Sequence, residues 1–226
     1  MDQRQVQKFK NFVRILELEI MESEIKNNLT GLFFGSFNPI HIGHLAIANY
    51  MLSFTEITEL WFVVSPHNPF KERQNMLTEA DRLHLVNLAI EEHPSYRSCD
   101  VEFRMPKPSY TIDTLVCLKE KYPQHKFALI MGSDNLEQFH KWKDSEAIIA
   151  NYHRYIYPRP ETPSHLLEGI PNATLVNAPL MDISSTLIRQ AITDGKDVPF
   201  FLHDKVYQYI KEKCFYEKAM WTKLVL

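Results

Sequence analysis

Gly31-Leu32-Phe33-Phe34-Gly35-Ser36-Phe37-Asn38-Pro39-Ile40-His41-Ile42-Gly43-His44 passes from a short apolar run, through a turn, into the start of a helical pattern. A helix start carries unpaired N–H groups and the positive end of the dipole, so a strand–loop–helix junction of this kind suits phosphate. Gly35 lets backbone approach a ligand closely. His41 and His44 are three residues apart and fall on one face of the first turn, and Gly43 between them leaves that face unobstructed. Two imidazoles so placed can donate hydrogen bonds to phosphoryl oxygens as charge builds in a transition state. Read as zinc ligands instead, the pair lacks a nearby cysteine or carboxylate to complete a set.

Outward from this stretch, short apolar strands alternate with helices. Strands are expected at Gly31–Phe34, Glu59–Ser65, Lys126–Met131 and Tyr155–Tyr157, with weaker ones near Asp100–Phe103 and Thr174–Val176. Helices are expected at Ile42–Phe54, Glu79–Glu92, Thr111–Lys121, Ser145–Ala150, Ser185–Thr193 and His203–Lys213, with Thr78 as the N-cap of the second. Fully apolar strands alternating with helices predict an α/β fold, a Rossmann-like doubly wound parallel sheet with helices on both faces. Ligands of such sheets bind beyond the carboxyl ends of the strands. Val6, Phe9, Val13, Leu16 and Ile20 make an amphipathic stripe, so residues 1–28 read as an N-terminal helical extension to one domain over 29–226. That stripe calls for burial on the domain or on another subunit, the latter giving a homo-oligomer. The tail to Leu226 carries no pattern.

The 226 residues are 45% hydrophobic and 23% charged with net charge −3, a globular composition without the basic footprint of a nucleic-acid polymer binder. Cys99, Cys117 and Cys214 are too dispersed for a disulfide framework. No apolar run could span a bilayer and no secretory signal is visible, so no membrane partner is expected and the cytoplasm is the default location.

The string Gly35–His44 closely resembles the signature of the nucleotidyltransferase superfamily with the HxGH motif. Within it the chain is similar to the bacterial nicotinate mononucleotide adenylyltransferases, from Gly31 to about Lys213. Ile183-Ser184-Ser185-Thr186-Leu187-Ile188-Arg189 resembles that family's closing element, which implies ATP phosphates gripped by Ser184, Ser185, Thr186 and Arg189; an ordinary serine N-cap is the plainer alternative. The resemblance implies ATP and nicotinate mononucleotide as partners, with His41, His44 and Arg189 catalytic. It places Gly35, Ser36, Phe37, Gly132 and Asp134 around the nucleotide, with backbone N–H groups of Ser36 and Phe37 as donors. For the mononucleotide it implies Asn68, Lys71, Ser109, Tyr110, Thr111 and Arg159, with Trp142 stacking on the pyridine ring; core packing is the alternative for Trp142. Mg²⁺ is the implied cofactor, carried by substrate phosphates and water with no protein metal site. Related adenylyl- and cytidylyltransferases, or a non-catalytic nucleotide sensor on the same fold, are the rival readings; intact His41, His44 and Arg189 speak against the sensor.

Overall fold

The computed structural model describes Arg14 and residues 28–66, 76–160, 162 and 169–218. The N-terminal stripe, Asn68 and Lys71 lie outside the described residues. Six strands, β1 (Leu29–Gly35), β2 (Glu59–Val64), β3 (Tyr96–Cys99), β4 (Lys126–Gly132), β5 (His153–Tyr157) and β6 (Ala173–Leu175), form one sheet in the order β3-β2-β1-β4-β5-β6. Every pairing is parallel, with Leu32 opposite Trp61 on one side and Leu129 on the other. The helices are α1 (Ile42–Phe54), α2 (Glu79–Ile90), α3 (Thr111–Lys121), the single turn α4 (Leu136–Phe139), α5 (Ser145–Asn151), α6 (Ser185–Thr193) and α7 (Asp204–Glu212).

The apolar strands are buried on both faces, and their period of two deals alternate residues to two cores. Phe33, Phe62 and Ile130 face one core with α1, α2, α6 and α7; Leu32, Trp61 and Leu129 face the other with α3 and α5. Strand order runs outward from β1 to β3, then resumes on the far side of β1 with β4. The loops after β1 and β4 therefore diverge and leave a crevice at the carboxyl end of the sheet. The quoted stretch sits at that switch point.

One expected strand is corrected. Asp100–Phe103 is not extended: Val101–Arg104 is a 3₁₀ turn, and the strand lies earlier, at Tyr96–Cys99. The turn is stabilised by tucking Glu102 inward, where its carboxylate accepts from Thr114 Oγ1 at 2.8 Å and Ser109 Oγ at 3.1 Å. The true strand borders β2 alone, so its sequence, YRSC, is half polar; Arg97 lies over the Trp61 ring at 4.6 Å instead of joining an apolar run. Thr78 caps α2, accepting from Asp81 N at 3.1 Å.

Candidate active site

The loop from Gly35 to His41 is held by its carbonyls. Ser65 N donates to Gly35 O at 2.9 Å, Arg82 NH1 to Ser36 O at 2.7 Å, Arg189 NH1 to Asn38 O at 2.8 Å and Ser185 Oγ to Pro39 O at 2.9 Å. In a trans peptide the C=O and the following N–H point oppositely. Anchoring the Gly35 and Ser36 carbonyls to the rear thus turns the Ser36 and Phe37 N–H groups toward the front, where both residues line the cleft. Phe37 has φ of 44°, a left-handed conformation that costs a non-glycine residue about 1 kcal/mol or more. Its buried ring offsets that by packing edge-on against Phe33, Phe62 and His44 at 5.0–5.9 Å. Gly35 makes room for this ring, since a Cβ there would lie 2.8 Å from it.

His41 is the N-cap of α1 in extended conformation, and its N–H donates to His44 Nδ1 at 3.2 Å. With Nδ1 accepting, a neutral His44 carries its proton on Nε2. The two rings lie 3.7 Å apart, tilted by 31°. A Cβ on Gly43 would meet the His41 ring at 3.0 Å, so the glycine is what lets the rings lie this way. Burial, then the nearby Arg159 guanidinium, lowers the His41 pKa to about 4. Burial, then His41 and Arg159, holds His44 well below the usual histidine range. Both are neutral near pH 7, each with one N–H to give. His41 Nδ1 is buried without a hydrogen-bond partner among the described residues.

Opposite the loop, α6 begins. Ser184 Oγ accepts from Leu187 N at 3.1 Å, so the plain capping reading of Ser184 holds as well. Arg189 NH2 donates to Thr186 Oγ1 at 3.2 Å while NH1 grips the loop, which fixes the guanidinium plane. The cleft between has a volume of about 620 Å³. Gly35, Ser36, Phe37, His41, His44, Asp134, Ser184, Ser185, Thr186 and Arg189 all line it. Gly132 ends β4 just beneath Asp134. Arg159 also lines it, with Nε 4.0 Å from Asp134 Oδ1. It therefore stands with the histidines, not with Ser109, Tyr110, Thr111 and Trp142, none of which lines the cleft. Beside the histidines a shallow slot is walled by Gly43, Ile47, Pro158, Met181 and Ile183.

The second group of expected residues is more loosely assembled. Tyr110 caps α3 and Thr111 opens it, but Ser109 is turned to Glu102 and Lys143 lies over the Tyr110 ring at 5.1 Å. Trp142 is half-buried against Phe139, ring centroids 5.0 Å apart. Among the described residues no group of three His, Cys, Asp or Glu side chains could hold a metal, and no helix is long and apolar enough to cross a membrane.

Two residues at this site, Arg82 and Tyr216, escaped the sequence reading. Both are buried behind the loop, where the Oδ1 of loop residue Asn38 accepts from Tyr216 OH at 2.9 Å and from Leu77 N at 3.2 Å. Arg82 alone left a signal: it opens the buried stripe Arg82, Leu85, Val86, Ile90 of α2 at a position where an apolar residue belongs.

A family model described as cytidylyltransferase-like matches residues 32–191. The chain is 48% identical to a probable nicotinate-nucleotide adenylyltransferase of Cytophaga hutchinsonii over 82% of this chain and 97% of that one. It is 51% identical to a protein of the same name from Bacteroides thetaiotaomicron, over 81% and 91% of the two chains. Among solved structures, the nicotinic acid mononucleotide adenylyltransferase of Plasmodium falciparum complexed with NaAD superposes with a TM-score of 0.71. At 21% identity, covering 84% of this chain and 97% of that one, it supports the fold alone.

Proposed function

Because this chain belongs to the nicotinate-nucleotide adenylyltransferases of the cytidylyltransferase-like family, we propose that it transfers the adenylyl group of ATP to nicotinate mononucleotide. The products are nicotinate adenine dinucleotide and pyrophosphate. The observation that carries this reading is the convergence of the Ser36 and Phe37 backbone, two neutral stacked histidines and Arg189 on one cleft at the switch point.

The mononucleotide phosphate oxygen attacks the α-phosphorus of ATP, a P–O bond forms, and the bond to the β-phosphate oxygen breaks as pyrophosphate leaves. No protein nucleophile is required, so the protein contributes positioning and stabilisation of developing charge. Backbone N–H groups of Ser36 and Phe37, with His44 Nε2–H, donate to the phosphates. Arg189 and the start of α6, with Ser184, Ser185 and Thr186, hold the β- and γ-phosphates. Gly132 and Asp134 stand by the ribose. Arg159, standing with the histidines, meets phosphate and not the pyridine ring. Ser109, Tyr110, Thr111 and Trp142, with Asn68 and Lys71, bind the mononucleotide.

Mg²⁺ fits this donor set as a substrate-carried ion, since Asp134 is the carboxylate among the described cleft residues and the remaining ligands come from phosphate and water. Bound there, it would supply positive charge against the phosphates, beside Asp134 and the donors of Arg189. Incubation with ATP, Mg²⁺ and a panel of phosphate acceptors, with the adenylylated product identified by mass, tests the assignment. Product from another acceptor in place of nicotinate mononucleotide would refute it.

A further inference from the structure

Arg82 is 1% exposed, and its guanidinium is committed entirely to backbone oxygen in the contacts resolved: NH1 donates to Ser36 O and to Ser65 O, both at 2.7 Å, and Nε to Leu77 O at 3.3 Å. Among the described residues no carboxylate lies within ion-pairing distance of it, and Glu79, acting from farther off, offsets the burial only in part. A buried cation without a counter-ion is costly, and a well-packed apolar side chain would serve a merely structural position better. What an apolar side chain cannot do is hold two loops by one nitrogen. Ser36 belongs to the loop after β1 and Ser65 to the loop after β2, so NH1 bridges them one residue beyond the direct bond from Ser65 N to Gly35 O.

The Ser36 carbonyl shares a rigid plane with the Phe37 N–H. Any rotation of that carbonyl in search of another donor rotates the N–H out of the cleft by the same angle. We infer that Arg82 is a positioning residue for adenylyl transfer, which aims the Phe37 N–H at the phosphates by fixing the Ser36 carbonyl and ties the first loop to the second. This rests on the adenylyltransferase reading. Arg82 itself touches no substrate; it acts through the peptide it holds.

Arg154 provides a matched control. It is also 1% exposed, donates to Pro171 O and lies over the Phe139 ring at 4.7 Å, and it does not line the cleft. The test uses the full chain with ATP, Mg²⁺ and nicotinate mononucleotide, both at saturation, and kcat is normalised to folded protein. Wild-type protein that forms no dinucleotide refutes the functional reading, independently of Arg82. With active wild type, Arg82→Met should lower kcat by ~10- to 100-fold with KM for ATP within about threefold, as for a partly misaimed preorganised donor. Arg154→Met should lower Tm comparably and leave kcat within about threefold. Arg82→Lys keeps a cation with a shorter, less directional reach and should lose only ~3- to 10-fold; it carries the test alone if the methionine variant does not fold. Wild-type kcat in whichever folded Arg82 variant is measured, or equal kcat losses in the two methionine variants, overturns the inference.

Discussion

On the proposed phosphate side of the site, four loop carbonyls accept from Ser65, Arg82, Arg189 and Ser185. On the pyridine side, Ser109 turns to Glu102, Lys143 covers Tyr110 and pairs with Asp113 at 2.8 Å, and Trp142 leans on Phe139. The first arrangement is preorganised: its loop carbonyls are already paired, with Arg82 buried beneath them, before any ligand arrives. The second consists of side chains engaged with one another, with Tyr110, Asp113 and Lys143 partly open to solvent. Electrostatic catalysis depends on donors that need no reorganisation as charge develops. The expected division of labour follows, with kcat resident on the phosphate side and KM for the mononucleotide on the pyridine side.

The largest test is His44→Ala, which removes the Nε2 donor. Pyrophosphate release should slow by ~10²–10³ in kcat, with KM for the mononucleotide little changed. Because Nδ1 also accepts the His41 N–H, a stability loss of about 1 kcal/mol should accompany it. Wild-type turnover in this variant would abolish the distinction between the two sides.

The histidines also predict a pH signature. A free histidine titrates near 6.5 and folded His41 near 4, so between these values the unfolded chain binds more protons than the native one. Stability therefore rises with pH through this window and is lost as pH falls from 6.5 to 4. His41 contributes about 3 kcal/mol to that loss, and His44 acts in the same direction. Urea melts across this range should show the slope, and His41→Ala should flatten it; an unchanged slope would mean His41 is not the buried neutral group described.

Substrate choice sharpens the pyridine side. The N–H groups at the start of α3 favour a carboxylate over a carboxamide, and one unmade buried hydrogen bond costs ~1–3 kcal/mol. Nicotinate mononucleotide should be preferred to its amide by roughly 10- to 100-fold in kcat/KM. Lys143 is the one cation the fold brings to this helix start among the contacts described, but Asp113 already takes its charge. Lys143→Met should therefore move the preference by less than about threefold; a collapse of the preference would transfer the selector role to Lys143. The smallest effect is expected of Trp142→Ala. With the ring half-buried on Phe139, the change should raise KM for the mononucleotide by ~3- to 10-fold and leave kcat nearly intact, since a face-stacking contact binds ground and transition states alike.

The cleft-lining residues at the first loop and at the start of α6 were legible because their signals are local. An apolar run marks β1, Gly43 keeps His41 and His44 on one open face, and Ser184 opens α6. The proposed pyridine side rests on resemblance alone, since Ser109-Tyr110-Thr111 has no chemistry of its own that demands a pyridine ring. Arg159 illustrates the limit: the run Tyr157-Pro158-Arg159 does not say which neighbour the side chain meets, and the fold sends it to the histidines and Asp134.

By itself the sequence determined the alternation of strands and helices, and with it a parallel sheet whose first loop meets a helix start at the crevice. Those features follow from periodicity, capping and backbone sterics, which act over a few residues. Only the tertiary structure decided what stands behind that loop. Tyr216 reaches Asn38 across 178 positions, Arg189 reaches it across 151, and Arg82 reaches Ser36 across 46. Such contacts are selected by burial: carbonyls sealed from water must find donors, and whichever buried N–H or O–H the packing delivers becomes the partner. Nothing in the local pattern around Asn38 or Ser36 names that donor, so the precision of the phosphate site belongs to the packed molecule.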